Sequence, residues 1–166
     1  MRGYFGIGAE GISKPMNLGA LWRTGHAFGA SFLFTVGAHH KVREIIKADT
    51  SRSVDHVPVH VWDSPGDMAL PHNCVLVGIE LTDDAVELPV FKHPLCAAYV
   101  LGRERGSLSP EMIARCAAVV KIPTKFSLNV SLAGALVLYD RMLALGGYGE
   151  RGGMSRRPAT GARIPR

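Results

Sequence analysis

Short apolar runs alternate along the chain with segments of helical periodicity. The apolar runs are rich in β-branched and aromatic residues, as is typical of strands, and cover residues 4–7, 31–36, 57–62, 74–81, 97–101 and 119–122. Helices are predicted at residues 18–28, 41–47, 110–116 and 128–145, with Ser109 as the N-cap of the third. This alternation predicts an α/β fold whose mostly parallel sheet carries helices on both faces.

The last predicted helix has polar residues at its entrance. The segment 122–139 reads IPTKFSLNVSLAGALVLY, and it places Ser127, Asn129 and Ser131 at alternate positions where the helix begins. Polar groups at the start of a buried helix are costly unless their hydrogen bonds are used. These residues therefore either cap the helix or bind a ligand.

The bulk composition is that of a globular protein. The 166 residues are 47% hydrophobic and 20% charged, and a chain of this length encloses its own core. No apolar run is long enough to cross a bilayer, and the first residues do not form a signal peptide. We therefore expect a cytoplasmic protein with one domain at residues 1–146.

The positive charge is concentrated at the C-terminal end. Residues 147–166 carry five arginines and one glutamate, which accounts for +4 of the net charge of +5. The segment is also rich in Gly, Pro and Ser and lacks apolar periodicity, so a flexible basic tail is predicted. Such a tail either attracts polyanions such as RNA or keeps the protein soluble.

The cysteines and histidines do not have the spacing of a metal site. Cys74, Cys96 and Cys116 match neither a zinc pattern nor a disulfide framework, so we expect them to be small buried hydrophobes. His56 and His60 have the spacing of a metal-binding pair on a helix, but the alternating valines around them indicate a strand. No metal is expected.

A glycine pattern near the N-terminus matches a dinucleotide fingerprint as a string. Gly6, Gly8 and Gly11 have GxGxxG spacing after a strand, but the fingerprint needs its third glycine at the start of a helix. Pro15 disfavours helical geometry at the residue before it, and no ribose-binding acid follows. We predict a flexible loop here, with a nucleotide-dependent oxidoreductase as an alternative.

Three segments combine polar residues with tight turns. PMNLGALWR, at residues 15–23, has Asn17 as the predicted N-cap of a helix and Arg23 nearly two turns further along. LGRERGSLS, at residues 101–109, ends a buried strand in a glycine-flanked turn that carries Glu104. The third is 122–139, described above. Ligands of open α/β sheets bind beyond the carboxyl ends of strands, so the last two segments predict a binding edge.

Taken in this order, the three segments resemble the SpoU/TrmH family of RNA ribose 2′-O-methyltransferases, within the SPOUT superfamily. The motifs that carry the resemblance are PMNLGALWRTGHAFG, LGRERGSLS and KIPTKFSLNVSLAGALVLY, and it covers roughly residues 3–146. It implies a C-terminal deep trefoil knot that holds S-adenosylmethionine (SAM). It also implies a homodimer and an RNA substrate.

The resemblance assigns the site residues as well. Those it implies for cofactor binding are Leu81, Gly102, Gly106, Ile122, Ser127, Leu128 and Asn129. Those it implies for catalysis are Arg23, Asn17, Glu104, Ser127 and Asn129. In the family, the arginine that matches Arg23 activates the ribose hydroxyl. It does so either as a base in a special environment or, more plainly, by gripping the substrate phosphate and stabilising the developing alkoxide.

The resemblance specifies the RNA less well than the cofactor. The chain begins at its first strand, and compact family members of this kind often act on tRNA, so tRNA is expected ahead of rRNA. The loop 39–60, with Lys41, Arg43, Lys47 and Arg52, is a candidate RNA contact or an ordinary solvated surface. A non-catalytic, knotted RNA-binding or assembly protein is the alternative from another functional class.

Overall fold

The computed structural model describes residues 3–49, 57–104 and 106–146, and it confirms the predicted alternation of strands and helices. The strands are β1 (Tyr4–Glu10), β2 (Phe32–Val36), β3 (Val59–Trp62), β4 (Val75–Ile79), β5 (Val86–Glu87), β6 (Cys96–Leu101) and β7 (Ala118–Lys121). The helices are α1 (Pro15–Ala27), α2 (His40–Asp49), α3 (Pro110–Arg115) and α4 (Val130–Ala144). Short 3-10 turns lie at Pro65–Asp67 and Leu88–Val90. The predicted basic tail, 147–166, lies outside the described residues.

The described strands form one parallel sheet in the order β3-β2-β1-β6-β4-β7-β5. β1, β2 and β3 form one half of the sheet, each lying outside the one before it, and the later strands form the other half. β1 and β6 are therefore neighbours where the strand order reverses, with Gly8 opposite Val100. Open parallel sheets bind ligands at the carboxyl ends of the strands near such a point.

Successive residues of the central strands point to opposite faces of the sheet, and both faces are covered. On β6, Tyr99 and Leu101 pack into the core formed with α1, α2 and α4. Ala98 and Val100 pack on the other face, in the cluster that contains Met112 of α3. The prediction of helices on both faces is confirmed.

Helices α1 and α4 pack side by side, and a glycine permits their close approach. A Cβ atom built on Gly134 would lie 2.7 Å from Leu21 Cδ1, so a larger residue would push the helices apart. Between the same helices, the hydroxyls of Thr24 and Ser131 meet at 3.4 Å. This packing holds the first turns of α4 against the second half of α1.

The glycines of the GxGxxG string do not form the predicted flexible loop. Gly6 and Gly8 are buried inside β1, and a Cβ on them would overlap the rings of Phe32 and Phe34, respectively. Gly11 follows the strand in a turn, with φ of +64°. The first two glycines therefore make room for aromatic rings of the neighbouring strand rather than for a phosphate.

The predicted N-cap of α1 is wrong. The helix begins at Pro15, and Lys14 occupies the N-cap position without a side-chain cap. Asn17 therefore lies inside the first turn. Proline is well tolerated at the first helical position, because the amide it lacks has no partner within the helix there. At α3 the predicted cap is confirmed, since Ser109 Oγ accepts a hydrogen bond from the Met112 amide at 3.1 Å.

The cysteines are free thiols, and each is only half-buried, which differs from the prediction. Burial raises the pKa of Cys74 and of Cys116 to about 11.

Across the described residues, no group of His, Cys, Asp and Glu is arranged to hold a metal ion. His60 stacks on Trp62 with ring centroids 5.4 Å apart, and His56 lies outside the described residues. No helix in the described part of the chain has the length and apolarity needed to span a membrane.

Candidate functional site

A cavity of about 340 Å³ opens at the carboxyl edge of β4, β6 and β7. All three predicted segments contribute to its lining. The predicted site residues that line it are Asn17, Leu81, Gly102, Glu104, Gly106, Ile122, Ser127, Leu128 and Asn129. Arg23 is the exception, because it does not line the cavity.

Three neighbouring strand ends form one side of the cavity. The strands β6, β4 and β7 are adjacent in the sheet, and Gly102, Leu81 and Ile122 follow their carboxyl ends. Ile79 and Leu101 add apolar surface to the lining. Apolar side chains beside strand-end backbone suit a ligand that has a flat apolar ring with polar edges.

Two carboxylates on the sheet hold the loop that follows β6. Glu80 Oε2 accepts a hydrogen bond from the Leu108 amide at 2.8 Å. Glu10 accepts from the amide and the hydroxyl of Ser109 at 2.8 and 2.5 Å. A Cβ built on Gly102 would lie 3.3 Å from Glu80 Oε2, so the loop passes tightly over the end of β4. These contacts fix the base of the loop that carries Glu104.

The Glu104 side chain joins this loop to the start of α1. Its Oε1 accepts from the Lys14 amide at 3.0 Å and from Asn17 Nδ2 at 3.2 Å. Its Oε2 accepts from the amide and the hydroxyl of Ser13 at 3.3 and 3.1 Å. A negative charge is favoured at a helix N-terminus, where amides lack intrahelical partners. Glu104 therefore holds the two amides that precede Pro15, while no side chain takes the N-cap role that the sequence had suggested for Asn17.

The Glu104 carboxylate is ionised at neutral pH. Burial by itself raises its pKa, but hydrogen bonds from its own amide, Lys14, Asn17 and Ser13 outweigh that effect and lower the pKa below its usual 4.5. Both carboxylate oxygens already accept hydrogen bonds. A carboxylate in this state is a weak proton acceptor and acts as a fixed anchor.

A chain of side-chain hydrogen bonds connects the three predicted segments. Asn129 Nδ2 donates to Asn17 Oδ1 at 3.3 Å, and Asn17 Nδ2 donates to Glu104 Oε1 at 3.2 Å. The ionised carboxylate can only accept, so Asn17 must turn its NH₂ group toward Glu104 and its oxygen toward Asn129. The charge of Glu104 thereby sets the orientation of both amides.

The polar residues at the entrance of α4 have different roles. Asn129 is the N-cap, because its Oδ1 accepts from the Ser131 amide at 2.9 Å. The Ser131 hydroxyl faces Thr24 on α1. Ser127 is exposed, lines the cavity, and makes no hydrogen bond with another residue of the described ranges. Capping therefore accounts for Asn129, whereas Ser127 presents an unused hydroxyl to the cavity.

Arg23 lies apart from the cavity in this chain. It is exposed on α1 and forms no ion pair or hydrogen bond within residues 3–49, 57–104 and 106–146. Six residues of α-helix separate it from Asn17, which turns the two side chains about 120° apart around the helix axis. Its catalytic role stays a prediction, and its guanidinium is accessible to a ligand that approaches from outside.

The predicted RNA-contact loop is described only in part. Arg52 lies outside the described residues. Arg43 forms an ion pair with Asp63 at 2.7 Å, so its charge is partly used within the protein. Lys41 and Lys47 are exposed on α2.

Sequence reasoning missed several residues that build the cavity. Ser13 and Lys14 hold Glu104 largely through main-chain amides, for which no side-chain pattern exists. Glu10 and Glu80 each stand at the carboxyl end of a buried strand. An acidic residue at the end of an apolar run was a usable signal, because ligand-binding edges collect such residues.

A buried polar cluster near the amino end of β6 was also missed. His93 contacts the Tyr99 hydroxyl at 2.7 Å and the Asp140 carboxylate at 2.9 Å. Burial lowers the pKa of His93, and the Asp140 carboxylate offsets this only in part. Arg141 is buried as well, and it donates to the Tyr99 hydroxyl at 3.1 Å and lies 4.8 Å above the Phe5 ring. The cluster joins α4 to the amino-terminal side of the sheet, opposite the carboxyl ends that form the cavity.

Comparison with known proteins places these features in a family context. The SpoU rRNA Methylase family matches residues 5–139. Over 138 residues the chain is 30% identical to the tRNA (guanosine(18)-2′-O)-methyltransferase TARBP1 of Mus musculus and 28% identical to the tRNA (guanosine(18)-2′-O)-methyltransferase of Escherichia coli K12. The matched regions are 78% and 79% of this chain but only 9% and 59% of those proteins.

A solved structure shares the fold. The SpoU methyltransferase AviRb from Streptomyces viridochromogenes, in complex with the cofactor AdoMet, superposes with a TM-score of 0.70 at 23% identity. The match covers 89% of this chain and 63% of that chain. The chain therefore spans less than two thirds of the length of each of these three proteins.

Proposed function

The chain belongs to the SpoU rRNA Methylase family, and on that premise we propose that it transfers a methyl group from SAM to a ribose 2′-hydroxyl of RNA. The observation that carries the proposal is the hydrogen-bonded path from Asn129 through Asn17 to Glu104, which brings three distant segments to one cavity. The names of the two relatives and the AdoMet complex of AviRb support it.

The cavity suits SAM in size and chemistry. Its volume of about 340 Å³ falls within the roughly 300–1,000 Å³ of small-molecule sites. We assign the adenine to the strand ends at Leu81, Gly102 and Ile122, with Gly106 and Leu128 on the adjoining walls. When bound there, SAM supplies an electrophilic sulfonium methyl group.

The chain's own residues position the reactants rather than exchange protons. In the proposed in-line displacement, the ribose oxygen bonds to the methyl carbon as the carbon–sulfur bond breaks and the hydroxyl proton leaves. Glu104 is already saturated with donors, and it fixes Asn17 and Asn129 as a rigid wall. The hydroxyl of Ser127 is available to hydrogen-bond the ribose. Alignment of two bound reactants supplies much of the rate gain in such a reaction.

We propose that Arg23 stabilises the negative charge that develops on the ribose oxygen of the RNA. A guanidinium is permanently protonated, so its direct role is to grip the substrate phosphate and stabilise the alkoxide, while the proton passes to water or to a phosphate oxygen. Its exposed position on α1 leaves it accessible to RNA. The substitution Arg23→Ala should lower kcat by about 100-fold, and full activity in that variant would refute the assignment.

We propose tRNA as the substrate ahead of rRNA. Both relatives described above are named for methylation of a tRNA guanosine, whereas the family description names rRNA. Lys41 and Lys47, exposed on α2, are candidate contacts to the RNA backbone.

We propose that the C-terminal part of the chain forms a deep trefoil knot. β7 lies between β4 and β5 in the sheet, so the segment that connects β4 to β5 must arch across β7. Lys121 Nζ donates to the carbonyls of Thr82 and Asp83 in that arch at 3.2 and 2.9 Å. A chain that continues beneath such an arch is threaded, which is exceptional among folds. An experimental structure in which residues 122–129 pass outside the arch would contradict the knot.

We propose a homodimer that uses the outer face of α4. Leu132, Leu136, Tyr139 and Leu143 are 60%, 44%, 43% and 36% exposed and recur at helical spacing. A continuous apolar stripe on a helix surface marks an interaction site. A second copy of the chain is the partner that the family resemblance implies.

Two measurements on the purified chain test the proposed function. Calorimetry should detect micromolar binding of SAM, and labelled SAM should transfer its methyl group to ribose 2′-oxygens in a tRNA mixture. SAM binding without transfer to tRNA or rRNA would refute RNA as the substrate. Absence of SAM binding would favour a non-catalytic RNA-binding protein, and thermal stabilisation by NAD(P) alone would favour an oxidoreductase.

A further inference from the structure

The cavity contains a cation whose charge the described protein does not use. Arg103 lines the cavity immediately before Glu104 in the chain, and it is exposed. Within residues 3–49, 57–104 and 106–146 it forms no ion pair and no hydrogen bond. The neighbouring Glu104 carboxylate forms no ion pair with it and accepts hydrogen bonds from Ser13, Lys14 and Asn17 instead.

Two glycine turns confine the stem of the Arg103 side chain. A Cβ built on Gly106 would lie 3.2 Å from Arg103 Nε and 3.3 Å from its Cδ. A Cβ built on Gly11 would lie 3.7 Å from Arg103 Cβ and 3.9 Å from its Nε. Both glycines have positive φ, +132° and +64°, so side chains are disfavoured at both positions. The stem of Arg103 therefore lies in a slot between two turns that carry no side chains, and the residue is exposed to a ligand.

The slot lies on the α1 side of the cavity. Gly11 follows β1, whereas the strand ends at Leu81 and Ile122 belong to β4 and β7, on the other side of β6. The proposed adenine site occupies those strand ends. The Arg103 side chain lies between Gly106, which adjoins that site, and Gly11, which follows β1. Under the proposed function, α1 also carries Arg23, the other arginine assigned to the RNA.

We propose that Arg103 binds a backbone phosphate of the RNA beside the target nucleotide, as a positioning residue. This inference rests on the proposed methyl transfer to RNA. A guanidinium matches a phosphate with a planar, two-pronged donor set, and phosphate is the anion that RNA carries at every nucleotide. The adjacent Glu104 carboxylate directs its oxygens to four other donors and leaves the Arg103 guanidinium unpaired.

The test compares Arg103→Gln, Arg103→Lys and Lys92→Gln with the wild type. Lys92 is an exposed cation just before β6, at the amino ends of the strands and thus opposite the cavity. Its substitution therefore controls for the loss of one positive charge. The probes are SAM alone and a mixture of unmodified tRNA transcripts, with RNA affinity measured across a salt series. Arg103→Gln should weaken RNA binding about tenfold and reduce the slope of log affinity against log salt by about 0.9. SAM affinity should stay within about twofold of the wild type, a change below 0.5 kcal/mol.

The remaining variants separate charge from geometry. Arg103→Lys should restore the salt slope but only part of the affinity, because an ammonium lacks the two-pronged geometry. Lys92→Gln should match the wild type. Loss of SAM affinity with an unchanged salt slope would overturn the proposal and make Arg103 a cofactor contact. If the wild type methylates RNA and the Arg103→Gln variant binds RNA with wild-type affinity, this inference is overturned and the proposed function stands. If the wild type binds no RNA, both the inference and the proposed function are overturned.

Discussion

Asn17 Nδ2 on α1 donates to Glu104 Oε1 across 3.2 Å, although the two residues lie 87 positions apart in the chain. The contact joins the segment after β1 to the segment after β6, the two strands that meet where the order of the sheet reverses. Because Glu104 also holds the two amides that precede α1, one ionised side chain sets the position of the helix start, the orientation of Asn17 and one wall of the cavity.

The substitution Glu104→Gln should disrupt this arrangement. Glutamine has the same shape, but one of its two acceptor oxygens is replaced by an NH₂ group. That NH₂ group would face a donor from Ser13, Lys14 or Asn17, so two groups that both donate would meet. We expect a loss of about 1–3 kcal/mol in the free energy of unfolding and at least about a tenfold fall in kcat/KM. Urea titration and a methyl-transfer assay measure the two effects. Glu44→Gln, an exposed substitution on α2, is the control, and equal behaviour of the two variants would contradict the anchor role.

Substitutions at Asn129 should separate capping from the contact with Asn17. Asn129→Asp keeps an N-cap acceptor for α4 but cannot donate to Asn17 Oδ1, so stability should be retained while activity falls. Asn129→Ala removes both interactions and should also cost about 1 kcal/mol of stability. Thermal unfolding and the transfer assay on both variants test this. An Asn129→Asp variant with wild-type activity would show that the contact with Asn17 is dispensable.

Local features of this fold were readable from the sequence because they depend on neighbouring residues. The alternation of strands and helices, the Ser109 cap and the Asn129 cap are all set within a few positions of the chain. The start of α1 was misjudged because Asn17 was interpreted as the N-cap, whereas the helix already begins at Pro15. The two-residue strand β5 is too short and too exposed to show an apolar pattern.

Features that depend on distant residues were not readable in this way. The insertion of β6 between β1 and β4 is a property of the whole sheet, and it is what brings Glu104 to Ser13 and Asn17. The role of Gly6 is visible only once Phe32 is known to lie beside it. The family resemblance supplied the set of cavity residues, but it gave no indication that Glu104 would take its donors from the start of α1.

The buried His93 should make stability depend on pH. Burial lowers its pKa in the folded state below the 6.5 of the unfolded chain, so below pH 6.5 the unfolded state binds a proton that the folded state resists. The free energy of unfolding should therefore fall as the pH drops below about 6.5. His93→Gln keeps polar groups near Tyr99 and Asp140 without titrating, and its profile should be flatter. Identical profiles for both proteins would contradict the assignment.

A charge on the α4 stripe should prevent dimer formation. Leu136→Glu places a carboxylate in the middle of the apolar stripe, where burial against a second copy would be costly. Light scattering should give twice the 17.8 kDa chain mass for the wild type and the single chain mass for the variant. Val61→Glu is the control, since Val61 is 44% exposed on the edge strand β3. A Leu136→Glu variant that remains dimeric would exclude this face as the interface.

The most direct test of the central claim is nucleotide-resolution mapping of 2′-O-methyl groups in tRNA and rRNA from cells with and without this protein. We predict that a 2′-O-methyl group at a defined tRNA ribose disappears when the protein is removed, returns with the wild-type chain, and does not return with Arg23→Ala. If every 2′-O-methyl group persists in its absence, the chain is not an RNA ribose methyltransferase in those cells.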